Sequence, residues 1–219
     1  MIAAGRPMRY LPFLLLSVAM TASPVMGQRY EFGAGGGGSF YSNTSLTGGP
    51  TKANAGFQPG FAATAYVGHN MYRLVSGEFR YTFEQNEMRI SSGATKATFG
   101  GRSHMFHYDI VIHTAPPGAH VRPYVLAGAG FKDYQGTGTE TLYQDLESVA
   151  LLTKTSQWRP LVTFGAGIKV AVSKGVFLRL EFRDYLTKLP DSVIAPVPPT
   201  TAGGWIHNFL PLIGISFAF

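Results

Sequence analysis

Charged residues recur at even spacing inside several short segments of this sequence. Glu78, Arg80 and Glu84 form one set, Arg179, Glu181 and Arg183 another, and Glu31, Asp109, Arg122, Arg159 and Lys169 stand in similar surroundings. Acids and bases brought together in this way could transfer protons or guide a solute. They could equally neutralise one another inside a narrow barrel, whose interior is only wide enough for side chains. The second reading is favoured, because charges held there must be paired to offset a large desolvation cost.

Other candidate chemistry is thinner. His104 and His107 are an odd distance apart and so face opposite ways on a strand, while His107 and His113 share a face but lie about 20 Å apart. Neither spacing makes a metal site, and His120 and His207 fall near strand ends. Ser103 and His104 are adjacent, which on a strand separates a nucleophile from its base. Gly33 to Gly38 matches the dinucleotide pattern G-x-G-x-x-G, yet no helix pattern follows and no acid stands about 20 residues on. No catalytic residue, metal site or cofactor is expected. The chain has no cysteine, which excludes disulfide staples and thiol chemistry. Its charge of +6 falls to +4 without Arg6 and Arg9, and no Lys/Arg run is dense enough for nucleic acid.

The elements that carry these residues are strands, because side chains alternate with a period of two. From Arg29 to Tyr41, Tyr30, Phe32, Ala34 and Phe40 oppose Glu31, Gly33, Gly35, Gly37 and Ser39. A second strand is expected over Gly56–Gly68, with Phe57 and Phe61 outside. The third, Tyr72–Glu84, sets Val75, Phe79, Tyr81 and Phe83 against Ser76, Glu78, Arg80, Thr82 and Glu84. The fourth, Thr95–His113, puts Phe106, Tyr108, Ile110 and Ile112 out. The fifth and sixth share the repeat R-P-x-V-x-x-G-A-G-x-K at Arg122–Lys132 and Arg159–Lys169. The seventh is Val176–Leu186 and the last Trp205–Phe219, with Trp205, His207, Phe209, Pro211, Ile213, Ile215, Phe217 and Phe219 on one face. Aromatics on one face and charges on the other suit a lipid exterior and a polar lumen. Phe61, Phe79, Tyr81, Tyr108, Phe164, Phe182, Phe209 and Phe217 are therefore expected to face lipid.

Connections after the first, third, fifth and seventh strands are long, among them Asn43–Ala55, Asn86–Ala94 and Asp133–Gln157. Lys188–Gly204, rich in proline, is not expected to form strand. Those after the second, fourth and sixth (His69–Met71, Thr114–Gly118, Ser173–Gly175) are short. With both termini in the periplasm, every short turn lies inside and every long loop outside.

At the N-terminus Arg6 and Arg9 precede an apolar stretch, Tyr10–Ala22, and Val25-Met26-Gly27 supplies a cleavage site. Residues 1–27 read as a secretory signal peptide, too short in its apolar run to span a membrane. Residues 28–219 then form one domain, and with no later helical span only a closed barrel can cross lipid.

The signal peptide, Arg122-Pro123-Tyr124-Val125 leading to Gly128-Ala129-Gly130, Leu180-Glu181-Phe182-Arg183-Asp184-Tyr185 and the aromatic terminus together resemble the small OmpA/OmpX-type outer-membrane β-barrel proteins of Gram-negative bacteria. The resemblance covers essentially the whole mature chain. It implies an all-β, eight-stranded antiparallel up-and-down transmembrane β-barrel, integral to the outer membrane. It also implies that Phe219 is an assembly signal read by the barrel-assembly machinery. The sequence departs from full-length OmpA proteins in ending at the barrel, so their peptidoglycan-binding domain is expected to be absent. Pro211 departs from the family pattern, so a bulge or break is expected there. Expected partners are outer-membrane lipids and an extracellular ligand at the loops. The expected role is structural or surface-interactive and non-enzymatic; the alternatives are a small porin, a lipid-modifying outer-membrane enzyme and a soluble lipocalin-like barrel.

Overall fold

Strands with one apolar and one charged face need a partner on each edge if they are to sit in lipid, since an open edge leaves N–H and C=O groups unpaired. A computed structural model describes residues 29–219. The leader assigned to residues 1–27 lies outside the described residues. In chain order the strands are β1 (Tyr30–Tyr41), β2 (Thr44–Thr47), β3 (Ala53–Phe57), β4 (Gly60–Asn70), β5 (Val75–Gln85), β6 (Met88–Ser92), β7 (Thr95–Phe99) and β8 (Gly101–His113). They continue as β9 (Val121–Gly136), β10 (Ala150–Leu152), β11 (Ser156–Ser173), β12 (Val176–Lys188), β13 (Ile194–Pro196), β14 (Thr201–Ala202) and β15 (Trp205–Ala218).

Eight of these strands close a barrel in the order β1, β15, β12, β11, β9, β8, β5, β4, with every neighbouring pair antiparallel. First and last strands form the closing seam, with Phe32 opposite Phe217. At one end the termini and the short turns are tied together by backbone bonds: Tyr30 N–H to Phe219 C=O at 3.1 Å, Asn70 N–H to Arg29 C=O at 2.8 Å and Ala218 N–H to Gly175 C=O at 2.8 Å. The other end carries the long connections.

Those connections are not the structureless loops expected. Asn43–Ala55 contains β2 and the start of β3, Asn86–Ala94 contains β6, Asp133–Gln157 contains β10, and Lys188–Gly204 contains β13 and β14. They assemble into a five-stranded sheet, β14-β2-β3-β6-β7, and a β10-β13 pair. The segments are too short for alternation to declare them, and Pro196 sits at the end of an edge strand, where a missing N–H is tolerated. For the same reason the second barrel strand begins at Gly60 rather than Gly56, and Phe57, expected outside, is only 5% exposed. The third begins at Val75 rather than Tyr72, and the expected fourth strand is broken at Gly100 into β7 and β8.

At Pro211 pairing with β1 lapses opposite Gly38 and Ser39, while the register runs unchanged from Gly37↔Leu212 to Phe40↔Phe209. The disturbance is a break without a bulge; pairing on the β12 side is continuous through Phe182↔Pro211. Gly37 accommodates it, because a Cβ there would stand 1.9 Å from the Pro211 carbonyl oxygen.

Candidate functional site

The inward face of the barrel is filled by charge. Arg179 on β12 reaches Glu78 on β5, diametrically opposite in the strand order, at 2.7 Å, and Glu31 on β1 at 3.2 Å. It also donates to Glu181. Arg80 lies 3.0 Å from Glu78 and 3.2 Å from Glu181. Arg183 donates through Nε to Glu181 at 2.9 Å and through Nη1 to Asp109 at 2.7 Å. Lys169 meets Glu31 at 2.7 Å. Two guanidinium groups stand over the Tyr66 ring, with Arg80 and Arg179 4.4 and 4.3 Å from its centroid. Gly33 leaves space for that ring, since a Cβ there would meet the Tyr66 hydroxyl at 2.4 Å; the glycine serves a neighbouring strand rather than an opposite one.

Nearer the long-connection end, Lys132 and Glu84 pair at 2.8 Å with no side-chain exposure on either. Glu84 also accepts from Tyr41 at 2.5 Å, Ser103 at 3.1 Å and Asn208 at 2.6 Å. Five carboxylates (Glu31, Glu78, Glu84, Asp109, Glu181) thus meet five cations (Arg80, Lys132, Lys169, Arg179, Arg183). The void left between Thr64, Tyr66, Arg80, Arg179 and Glu181 is about 10 Å³, at the lower limit for a single water.

Two residues assigned to this network stand outside it. Arg159 is bound at 2.6 Å to Asp191, in the segment after β12 at the mouth of the barrel, because β11 extends beyond the lumen before it reaches Leu161. Arg122 is buried at the short-turn end, where it donates to the Ala115 carbonyl at 3.2 Å and forms no ion pair among the described residues. Lys132 belongs to the network and was missed, although the repeat that aligns it with Lys169 announced it. His107 joins as well, 2.8 Å from Asp109, while His113 lies 3.1 Å from the Ser76 hydroxyl. Ser103 points inward to Glu84 and His104 outward to Tyr81 at 2.8 Å, so they share no face.

Above the charged layer sits an apolar one. Leu46, Ala55, Phe57, Met88, Ile90 and Phe99 from the five-stranded sheet pack with Tyr134, Val149, Leu152, Val193, Ile194 and Ile206 into one buried cluster. Phe57 stacks on Tyr134 with centroids 5.3 Å apart, and the Tyr134 hydroxyl is 2.7 Å from that of Thr187. The connection after β9 is clamped by Gln144, whose side chain bonds both the N–H and the C=O of Leu152, at 3.0 and 2.9 Å. Gln157 and Arg159 hold Asp191, and the bond from Gln157 together with Arg159 keeps that carboxyl below its ordinary range.

The sequence matches the family described as outer membrane protein beta-barrel domain over residues 13–209. The chain belongs to that family. No curated protein matches it. Among solved structures it is similar to Neisserial surface protein A (NspA), at 11% identity and TM-score 0.55, over 87% of this chain and 97% of that one. The N-terminal barrel domain of Pseudomonas aeruginosa OprF is similar at 15% identity and TM-score 0.45, over 89% and 100% of the two chains. Ail of Yersinia pestis is similar at 12% identity and TM-score 0.45, also over 89% and 100%. The likeness to NspA is one of fold.

As an outer-membrane barrel, the molecule turns its apolar side outward. Phe61, Phe79, Tyr108, Phe164, Phe182 and Phe209 are exposed on the outer wall, and Tyr81 and Phe217 are half-buried against neighbouring rings. Tyr81 packs on Phe106 at 5.0 Å, and Phe217 on Phe32 at 5.2 Å. Phe219 closes the seam, its N–H donating to the Tyr30 carbonyl at 3.0 Å and its ring 6.0 Å from that of Phe32.

Proposed function

We propose that this outer-membrane barrel is a closed scaffold, non-enzymatic, that presents its long-connection end to the cell exterior for surface interaction. The observation that carries this reading is the lumen itself. Five acids matched by five bases cross it, beneath an apolar cluster that covers the same end. Conduction would require several buried pairs to part together, each leaving an uncompensated charge. The ordered connections, by contrast, offer an exterior surface on a rigid support, where binding functions concentrate. In this reading the outer-wall aromatics contact lipid, a leader is removed after residue 27, and the assembly machinery reads the strand ending at Phe219.

The test is single-channel recording of refolded Gln28–Phe219 in planar bilayers, with heat-modifiable gel migration to establish folding. A folded, silent protein is expected. Steady discrete openings would replace the scaffold with a narrow porin and make Arg80, Arg179 and Glu181 its selectivity residues. Orientation is read separately: chymotrypsin added to intact cells is expected to cut after Tyr143, which is 83% exposed in the connection after β9.

A further inference from the structure

The five-stranded sheet ends on β7, which pairs with β6 and with no other strand among the described residues. The β6-β7 hairpin turns through Gly93 and Ala94, with Ser92 opposite Thr95 and Gly93 at φ +57°. In a hairpin with a two-residue loop the closing pair is hydrogen-bonded, and bonded pairs then alternate with unbonded ones. Thr95, Ala97 and Phe99 therefore spend their backbone groups on β6. Those of Lys96 and Thr98 point the other way, to the open edge, and among the described residues neither makes a backbone bond to a further segment. Beyond them the edge is taken up: the Gly100 carbonyl accepts N–H groups from Thr137 and Gly138 at 2.8 and 3.3 Å.

That edge is one wall of a groove of about 300 Å³, with Thr139, Thr141, Tyr143, Gln144 and Asp145 on the other side. Tyr143 and its neighbour Leu142 are 83% and 95% exposed, large apolar side chains that nothing among the described residues covers. The two sides of β7 differ: Ala97 and Phe99 continue the buried apolar face, whereas Lys96 and Thr98 are exposed.

We propose that the free edge of β7 accepts an extended polypeptide segment of a partner protein as a sixth strand. The inference rests on the scaffold reading and names its partner class. Two N–H and two C=O groups at strand spacing are complemented by another backbone, which is how edge strands recruit extended peptides. Alternation dictates the side chains: apolar ones aligned with Ala97 and Phe99, and polar ones, acidic opposite Lys96, on the outer row. A second copy's β7 brings another lysine to the same row, so self-pairing is disfavoured.

The probe is a short, terminally blocked peptide of alternating valine and glutamate, with a control of the same residues in block order, titrated by fluorescence anisotropy against refolded protein. The parent is expected to bind the alternating peptide and not the control. Thr98→Pro removes an edge-facing N–H without touching the β6 ladder, and should weaken binding about tenfold. Lys96→Glu should shift preference to an alternating valine and lysine peptide, which keeps the test decisive if the proline variant does not fold. No binding by the parent, or binding unchanged in both variants, overturns the proposal. Channel recordings on the same preparations separate the two readings: a silent protein that ignores the peptide sinks the edge site alone, whereas a conducting one sinks the scaffold.

Discussion

Replacing Lys132 by methionine isolates one lumen pair from the rest of the network. Among the described residues Lys132 has Glu84 as its sole acidic partner, at 2.8 Å, and both side chains are fully enclosed. Breaking a buried pair by removing one member costs about 3 to 5 kcal/mol, because the other charge stays behind in a medium that cannot solvate it. Here Glu84 keeps Tyr41, Ser103 and Asn208 as donors, so the lower end applies, about 3 kcal/mol or roughly a hundredfold in the folding equilibrium. Adding Glu84→Gln removes the stranded charge while retaining an acceptor for those donors. The double variant should return to within about 1 kcal/mol of the parent. The assay is urea-dependent folding into lipid vesicles, followed by gel migration and by the emission of Trp158 and Trp205. If Lys132→Met alone lies within about 1 kcal/mol of the parent, or if the two single effects simply add, then pairing is not what stabilises this layer.

Three further outcomes are expected. Phe182, midway along β12 and 54% exposed on the outer wall, should tolerate arginine poorly, at about 2 to 4 kcal/mol; an undiminished folded fraction in bilayers would show that it does not face mid-membrane lipid. Gly37→Ala puts a Cβ 1.9 Å from the Pro211 carbonyl oxygen, backbone that cannot step aside, and should cost about 1 to 3 kcal/mol, whereas Gly203→Ala, with nothing within 4 Å, should be silent in the same titration. Asp191 is held below its ordinary value of 3.8 by the Gln157 bond first and by Arg159 next. A depressed folded-state value means that its contribution is present above the ordinary value and is lost as the pH falls through the depressed one. Acidification below about pH 4 should therefore loosen the segment after β12, read as faster pepsin cleavage near Leu189, and Asp191→Asn should remove that pH dependence.

Much of the barrel was legible in the sequence because lipid outside and charge inside impose a period of two on each wall-forming strand. Glu78, Arg80 and Glu84 against Phe79, Tyr81 and Phe83 is that rule in a single segment, and the structure sets the two groups on opposite faces. The alternation of long and short connections likewise shows at which end the termini lie. Out of the membrane the rule lapses, and with it the legibility. Strands as short as β2, β10 and β13 carry too few alternations to be distinguished from loop, and they exist because they cover one another over Phe57, Met88 and Ile90.

Partner choice belonged to the tertiary structure alone. A strand's alternation says that Arg159 and Arg183 both point inward, but depth along the axis decides that one meets Asp191 at the rim and the other Asp109 in the lumen. Lys132 was visible as a repeat of Lys169, yet its acid, Glu84, lies two strands away around the wall and becomes its neighbour only when β5 and β9 pair on either side of β8. The sequence by itself determined the wall, since each strand's two faces answer to two solvents through local periodicity. Closure decided the contents of the lumen and the cap above it, because those contacts join residues whose distance is set by strand order and stagger rather than by spacing along the chain.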